Sequence, residues 1–188
     1  MKIELRSLLM AALLGSLLMN TPATGQKKAR PDWQRLLEQR LPVYGHRNWI
    51  VIADSAYPSQ SRAGIETIAT GGDQLEIVQA VLARIERAPH IRPTIYLDAE
   101  LPYVDEQYAK GIGTYRQGLK RLLGDRPSQS LPHDQIIAKL DQTGATFNVL
   151  ILKTTLALPY TSVFLELDCG YWSSEAEAML RAAMKKER

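Results

Sequence analysis

Gly45-His46-Arg47-Asn48-Trp49-Ile50-Val51-Ile52-Ala53-Asp54-Ser55-Ala56-Tyr57-Pro58 is the stretch around which the rest of the chain is organised. Trp49 to Ala53 is an unbroken apolar run, rich in β-branched residues and bounded by turn formers. Such a run predicts a short strand buried on both faces. A histidine stands at its start and an aspartate at its end. At about 3.3 Å of rise per residue, the strand holds His46 and Asp54 roughly 20 Å apart. The two can share one site only if the chain bends at Gly45, or if two subunits each contribute one of them. Polar groups at the ends of a buried strand are a common place for binding chemistry in α/β folds.

Outward from that strand, helices and strands alternate. Trp33, Leu36, Leu37 and Leu41 share a helical face over residues 31–42. After the central strand, residues 59–64 read as a polar loop and 65–69 as a short strand. Asp73 with Glu76 resembles a capping box and opens a helix over 74–87, whose Leu75, Val78, Leu82 and Ile85 face the core. Residues 93–97 predict a second buried strand, followed by Asp98. A helix follows over 114–123, a loop over 125–130 and a helix over 133–142. Strands are expected at 147–152 and 163–167, and a last helix from Ser174 to about Lys186. This alternation predicts a single α/β domain with a parallel or mixed sheet flanked by helices. Gly111-Ile112-Gly113 is no dinucleotide loop, because Arg116 stands where a third glycine is needed and no convincing strand precedes it.

The N-terminus reads as an export signal rather than as fold. Lys2 and Arg6 give a positive start, Ser7 to Met19 an apolar core, and Pro22 to Gly25 a small-residue cleavage site. Residues 1–25 are therefore expected to be removed, leaving one domain over 26–172 and a helical extension over 173–188, outside the cytoplasm in the periplasm or medium. No cysteine follows the apolar core, which argues against a lipoprotein anchor, and no later stretch is long enough to span a bilayer. Cys169 is the single cysteine, so no intrachain disulfide forms. The formal charge of +3, from 23 basic and 20 acidic residues, describes a mixed surface rather than a nucleic-acid footprint.

The central stretch also resembles the opening motif of the ribose pyranase/fucose mutarotase (RbsD/FucU) family, G-H-x-[DN]-x-I-x-[IV]-x-D-[AS]-x-x-P. Gly45, His46, Asn48, Ile50, Ile52, Asp54, Ser55 and Pro58 match it. Leu131-Pro132-His133-Asp134-Gln135 is similar to the segment carrying that family's second histidine. Pro159-Tyr160-Thr161-Ser162 is similar to its C-terminal Pro-Tyr-x-Asn motif, which completes the sugar site from a neighbouring subunit. The resemblance spans roughly residues 32–170 and departs at three positions. Asn48 stands for the usual Asp, Ser162 for the usual Asn, and Leu156 for an acidic residue. It implies a monosaccharide partner of the ribose or fucose type and a ring-like or decameric homo-oligomer. It also implies His46 as the main acid/base, with Asp54, His133, Tyr160 and Ser162 as sugar contacts, Tyr160 from an adjacent subunit.

The implied chemistry opens a cyclic hemiacetal and closes it again. One group protonates the ring oxygen while another removes the anomeric hydroxyl proton, and no cofactor or metal is required. Histidine suits both tasks because its ordinary pKa of about 6.5 lies near operating pH. Each residue also has a plainer role open to it. His46 can cap the strand start, Asp54 can be a turn residue, His133 can be a solvated helix start, and Tyr160 can pack beneath the sheet. His90, between Pro89 and Ile91, reads as a loop residue. The three histidines lack metal-ligand spacing, and no nucleophile-elbow signature occurs. A non-catalytic sugar-binding protein and a structural oligomer with a vestigial pocket fit the same residues.

Overall fold

The computed structural model describes residues 32–186. The expected export signal over 1–25 and the expected mature start at Gln26 lie outside the described residues. Trp49–Ala53 forms β1, buried at every position as its composition demands. It lies inside a six-stranded sheet of order β2-β5-β1-β6-β3-β4. The others are β2 (Ile65–Ala69), β3 (Ile91–Asp98), β4 (Ser128–Leu131), β5 (Val149–Lys153) and β6 (Val163–Cys169). β6 runs antiparallel to both its neighbours, β1 and β3, and the other pairings are parallel. The sheet is therefore mixed, with five strands running one way and β6 returning between them.

Two apolar layers sandwich it. On one face pack α1 (Trp33–Arg40), α2 (Gln74–Ile85) and α3 (Ile112–Leu123), against Ile50, Ile52, Leu150, Leu152, Val163 and Leu165. On the other, α4 (His133–Gly144) sets Ile136 and Leu140 against Trp49, Val51, Val149, Ile151 and Phe164. Alternate residues of β1 thus feed different cores, as strand geometry requires. Asp73 caps α2 by accepting from the backbone N–H groups of Leu75 and Glu76 at 2.9 and 3.3 Å. The last helix, α5 (Ser174–Lys186), has no buried residue.

Two differences from the sequence reading have physical causes. Residues 128–130, expected inside a loop, form with Leu131 the edge strand β4 paired with Ile95 to Asp98. Ser128, Gln129 and Ser130 are exposed, and an edge strand held from one side carries no apolar pattern to betray it. Helix α3 begins two residues earlier than expected, at Ile112. Its start is held by Glu106, whose carboxylate accepts from the N–H of Gly111 and, at 2.9 Å, from that of Gly113. The chain's own carboxylate fills the place a phosphate would take there. Among the described residues no helix is long and apolar enough to cross a membrane.

Candidate functional site at the carboxyl end of the sheet

Val163, the first residue of β6, pairs with Ile52 on one side and Leu97 on the other. One step beyond, Ser162 lies between the end of β1, where Asp54 follows, and the end of β3, which is Asp98. Three adjacent strands thus deliver three polar side chains to one edge, the carboxyl end of the parallel strands. Ser162 Oγ donates to Asp54 Oδ2 at 3.1 Å. Asp54 Oδ1 accepts from the backbone N–H of Ala56 at 2.8 Å, closing the turn after β1.

Helix α4 brings His133 to the same edge. Pro132 ahead of it offers no capping side chain. Glu100, just beyond β3, substitutes, accepting from the His133 backbone N–H at 3.1 and 3.2 Å. The ring of His133 meets Asp98, with Nδ1 2.9 Å from Oδ1. Asp98 has a fully buried side chain, while 39% of the His133 side chain reaches solvent. The other carboxylate oxygen, Oδ2 of Asp98, is buried with no hydrogen-bond partner among the described residues. Burial pushes the Asp98 carboxyl above the usual carboxylate range. Its bond to His133 and that residue's charge oppose the rise, and Glu100 and Asp54 add to it.

Tyr160 completes the cluster. Its ring stands edge-on to His133 with centroids 5.7 Å apart and an interplanar angle of 83°. Its backbone φ of +56° lies in the left-handed region, unusual for a bulky residue. The next residue holds it there. The buried Thr161 carbonyl accepts from Tyr115 Oη at 2.6 Å and from Nε2 of Gln74, which is itself fully buried. Gln74 Oε1 in turn meets the Thr154 hydroxyl at 3.0 Å. A polar knot beneath the loop therefore fixes Tyr160 over His133.

Tyr57, after β1, is also buried and its hydroxyl has no partner among the described residues. Burial first, then the charges of Asp141, Asp98 and Asp54, push its phenol well above the ordinary range.

Asp54, His133, Tyr160 and Ser162, drawn from three separate motifs, thus converge within one chain. Tyr160 was expected to reach the site from an adjacent subunit, yet it packs against the His133 of its own chain. His46 is the residue that stands apart. It is exposed, at the amino end of β1, within electrostatic reach of Asp168 on β6. The chain does not bend at Gly45 to bring it across, so only a second copy could supply it to this cluster. Asn48 has a structural task at that end. Its Oδ1 accepts from the Gly45 N–H at 2.9 Å and its amide reaches the Asn148 carbonyl at 3.4 Å, a donation a carboxylate could not make. Leu156 packs against the core rather than facing the cluster. His90 is a turn residue whose Nε2 lies 3.0 Å from the Leu41 carbonyl. Among the described residues no group of three or more His, Cys, Asp or Glu could hold a metal ion.

Asp98, Glu100, Tyr57 and Gln74 were not singled out from sequence. For Asp98 a signal existed, since it ends a buried strand just as Asp54 follows one.

No family profile and no curated protein matches the chain. Among solved structures it is similar to Bacillus subtilis RbsD complexed with D-ribose, at 17% identity over 71% of this chain and 91% of that one, TM-score 0.49. It is similar to the fucose mutarotase of Streptococcus pneumoniae in complex with L-fucose, at 22% identity over 75% and 97%, TM-score 0.49. It is also similar to FucU from Bifidobacterium longum, at 19% identity over 71% and 94%, TM-score 0.48.

Proposed function

We propose that the chain binds a monosaccharide of the ribose or fucose type at the carboxyl end of its sheet and catalyses exchange between the sugar's ring forms or anomers. The observation that carries this is the convergence of Asp54, His133, Tyr160 and Ser162, the motif residues, on one edge. Asp54 and Ser162 offer hydroxyl partners, Tyr160 a face and a phenol, and His133 a ring nitrogen. These groups suit a small polyhydroxylated ring, whose faces are apolar and whose rim is polar. His46 is the acid/base of this reading and acts from a second copy, which makes a homo-oligomer part of the proposal. The chain acts outside the cytoplasm once residues 1–25 are removed; an intact Met1 on the purified native protein would contradict this.

A second reading is a non-catalytic monosaccharide-binding protein. It is favoured by the position of His46, exposed at the far end of β1. NMR exchange measurements of anomer and ring-form interconversion, over a panel of ribose, fucose and related sugars, separate the two. Exchange faster than the spontaneous rate, lost in His46→Ala, supports the enzyme. Saturable binding without faster exchange supports the binding protein, and the absence of both binding and exchange overturns both readings.

A further inference from the structure

Opening a hemiacetal needs one group to protonate the ring oxygen and another to take the anomeric hydroxyl proton, and His46 accounts for one of them. We propose that His133 is the other, and that the buried Asp98 is its positioning residue, holding the proton on Nδ1 so that Nε2 presents its lone pair. This rests on the monosaccharide reading above and assigns roles within its site.

The geometry supplies the argument. Nδ1 of His133 is 2.9 Å from Asp98 Oδ1. A neutral imidazole that donates from Nδ1 has its lone pair on Nε2, on the opposite side of the ring. Nε2 makes no hydrogen bond to any described residue and is not among the buried unpartnered atoms, which leaves it open to a ligand. The ring is further fixed by Tyr160 edge-on to it and by Glu100 on its backbone N–H. The charged and titratable groups around the pair are Glu100 beyond β3, Asp54 beyond β1, Tyr57 in the turn after it, Tyr115 on α3, and Tyr160 ahead of β6.

Asp98 is also poorly explained as a stabilising residue. Its second oxygen is buried without a donor, and a carboxylate in that state opposes folding. Such groups concentrate where chemistry needs them.

In the step proposed, Nε2 takes the proton of the anomeric hydroxyl, the bond from the anomeric carbon to the ring oxygen breaks, and the carbonyl forms. The ring oxygen takes a proton from the second acid/base, His46 of a second copy. Closure on either carbonyl face reverses both transfers, with no net oxidation or reduction.

Long-range proton–nitrogen NMR on the 15N-labelled full chain, above the ordinary histidine titration range, reads the tautomer of His133 directly. Assignment comes from His46→Gln, His90→Gln and His133→Gln. The Nδ1–H form is expected in the unmodified protein. It should persist in Asp98→Asn, whose amide oxygen can still accept, and give way to Nε2–H in Asp98→Leu. Nε2–H in the unmodified protein overturns the positioning role, and so does a tautomer indifferent to Asp98→Leu in a folded chain.

The exchange assay tests the catalytic half. His133→Gln should lose on the order of a hundredfold or more in kcat. Asp98→Asn should lose about tenfold to a hundredfold, mainly in kcat rather than KM. Exchange that survives His133→Gln overturns His133 alone. Absence of exchange in the unmodified protein overturns the monosaccharide reading as well, while the tautomer result stands by itself.

Discussion

The knot under Tyr160 makes a quantitative test of how the site loop is held. Gln74→Leu keeps nearly the same volume but removes two donations from Nε2, to the Thr161 carbonyl and, at 3.1 Å, to the Tyr115 hydroxyl, and an acceptor for the Thr154 hydroxyl. No partner is orphaned. Thr161 keeps the Tyr115 hydroxyl at 2.6 Å, and Thr154 keeps the Ala53 carbonyl at 3.0 Å. The loss is therefore three net hydrogen bonds at about 1 kcal/mol each, or about 3 kcal/mol. For a domain of this size that lowers Tm by roughly 6–12 °C. Tyr115→Phe removes the other donor to Thr161 and the acceptor of the Gln74 amide, and should cost about 2 kcal/mol alone. Burial holds the Tyr115 phenol far above its ordinary pKa, so it remains a donor at any pH used. The double variant leaves the Thr161 carbonyl without either partner. It should be less stable than Gln74→Leu alone by about 2–3 kcal/mol, the lost Tyr115 bond plus the penalty for a buried acceptor left bare. Urea unfolding of the four proteins gives the cycle. A double variant as stable as Gln74→Leu alone would refute the idea that these two side chains share one acceptor.

Three further outcomes follow from the same coordinates. Because folding raises the Asp98 pKa, the folded state binds that proton more readily than the unfolded chain. Its contribution to stability is present below the ordinary Asp value and lost as pH rises through the raised one. Asp98→Asn should remove that slope and be no less stable near neutral pH, and a clear loss of stability there would contradict the account. Ser162→Ala removes two bonds to Asp54, the 3.1 Å donation to its carboxylate and the 3.4 Å donation from its backbone N–H, so urea unfolding should show a loss of about 2 kcal/mol while sugar affinity falls further. Light scattering of the full chain should give a homo-oligomer, since a monomer at working concentration leaves His46 no route to the cluster.

The sheet was legible where burial writes itself into sequence. Trp49–Ala53 and Ile65–Ala69 have the bounds that their apolar, β-branched runs predict. β4 was not legible, because Ser128-Gln129-Ser130 faces water and is held only by backbone bonds to β3. The separation of His46 from Asp54 followed from strand rise alone. Which of the remaining residues gather with Asp54 depends on the return of β6 between β1 and β3, and no local pattern encodes that return. Asp98 escaped notice because an aspartate after a strand looks the same whether it closes a turn or pairs with a histidine. Gln74 escaped because the first position of a helix is an ordinary place for a polar residue, and only tertiary packing buries it.

The central claim is that one end of the sheet takes a monosaccharide, and amide chemical-shift mapping tests it most directly. Ribose and fucose are titrated separately into the 15N-labelled full chain. The account predicts saturable shifts for at least one sugar, concentrated at residues 54–57, 98–101, 132–134 and 158–162. A second set near residues 45–48 is expected if a neighbouring copy supplies His46. Saturable shifts confined to α5 or to the helical face of α1 and α2, or no saturable shift with any sugar of this class, would contradict it.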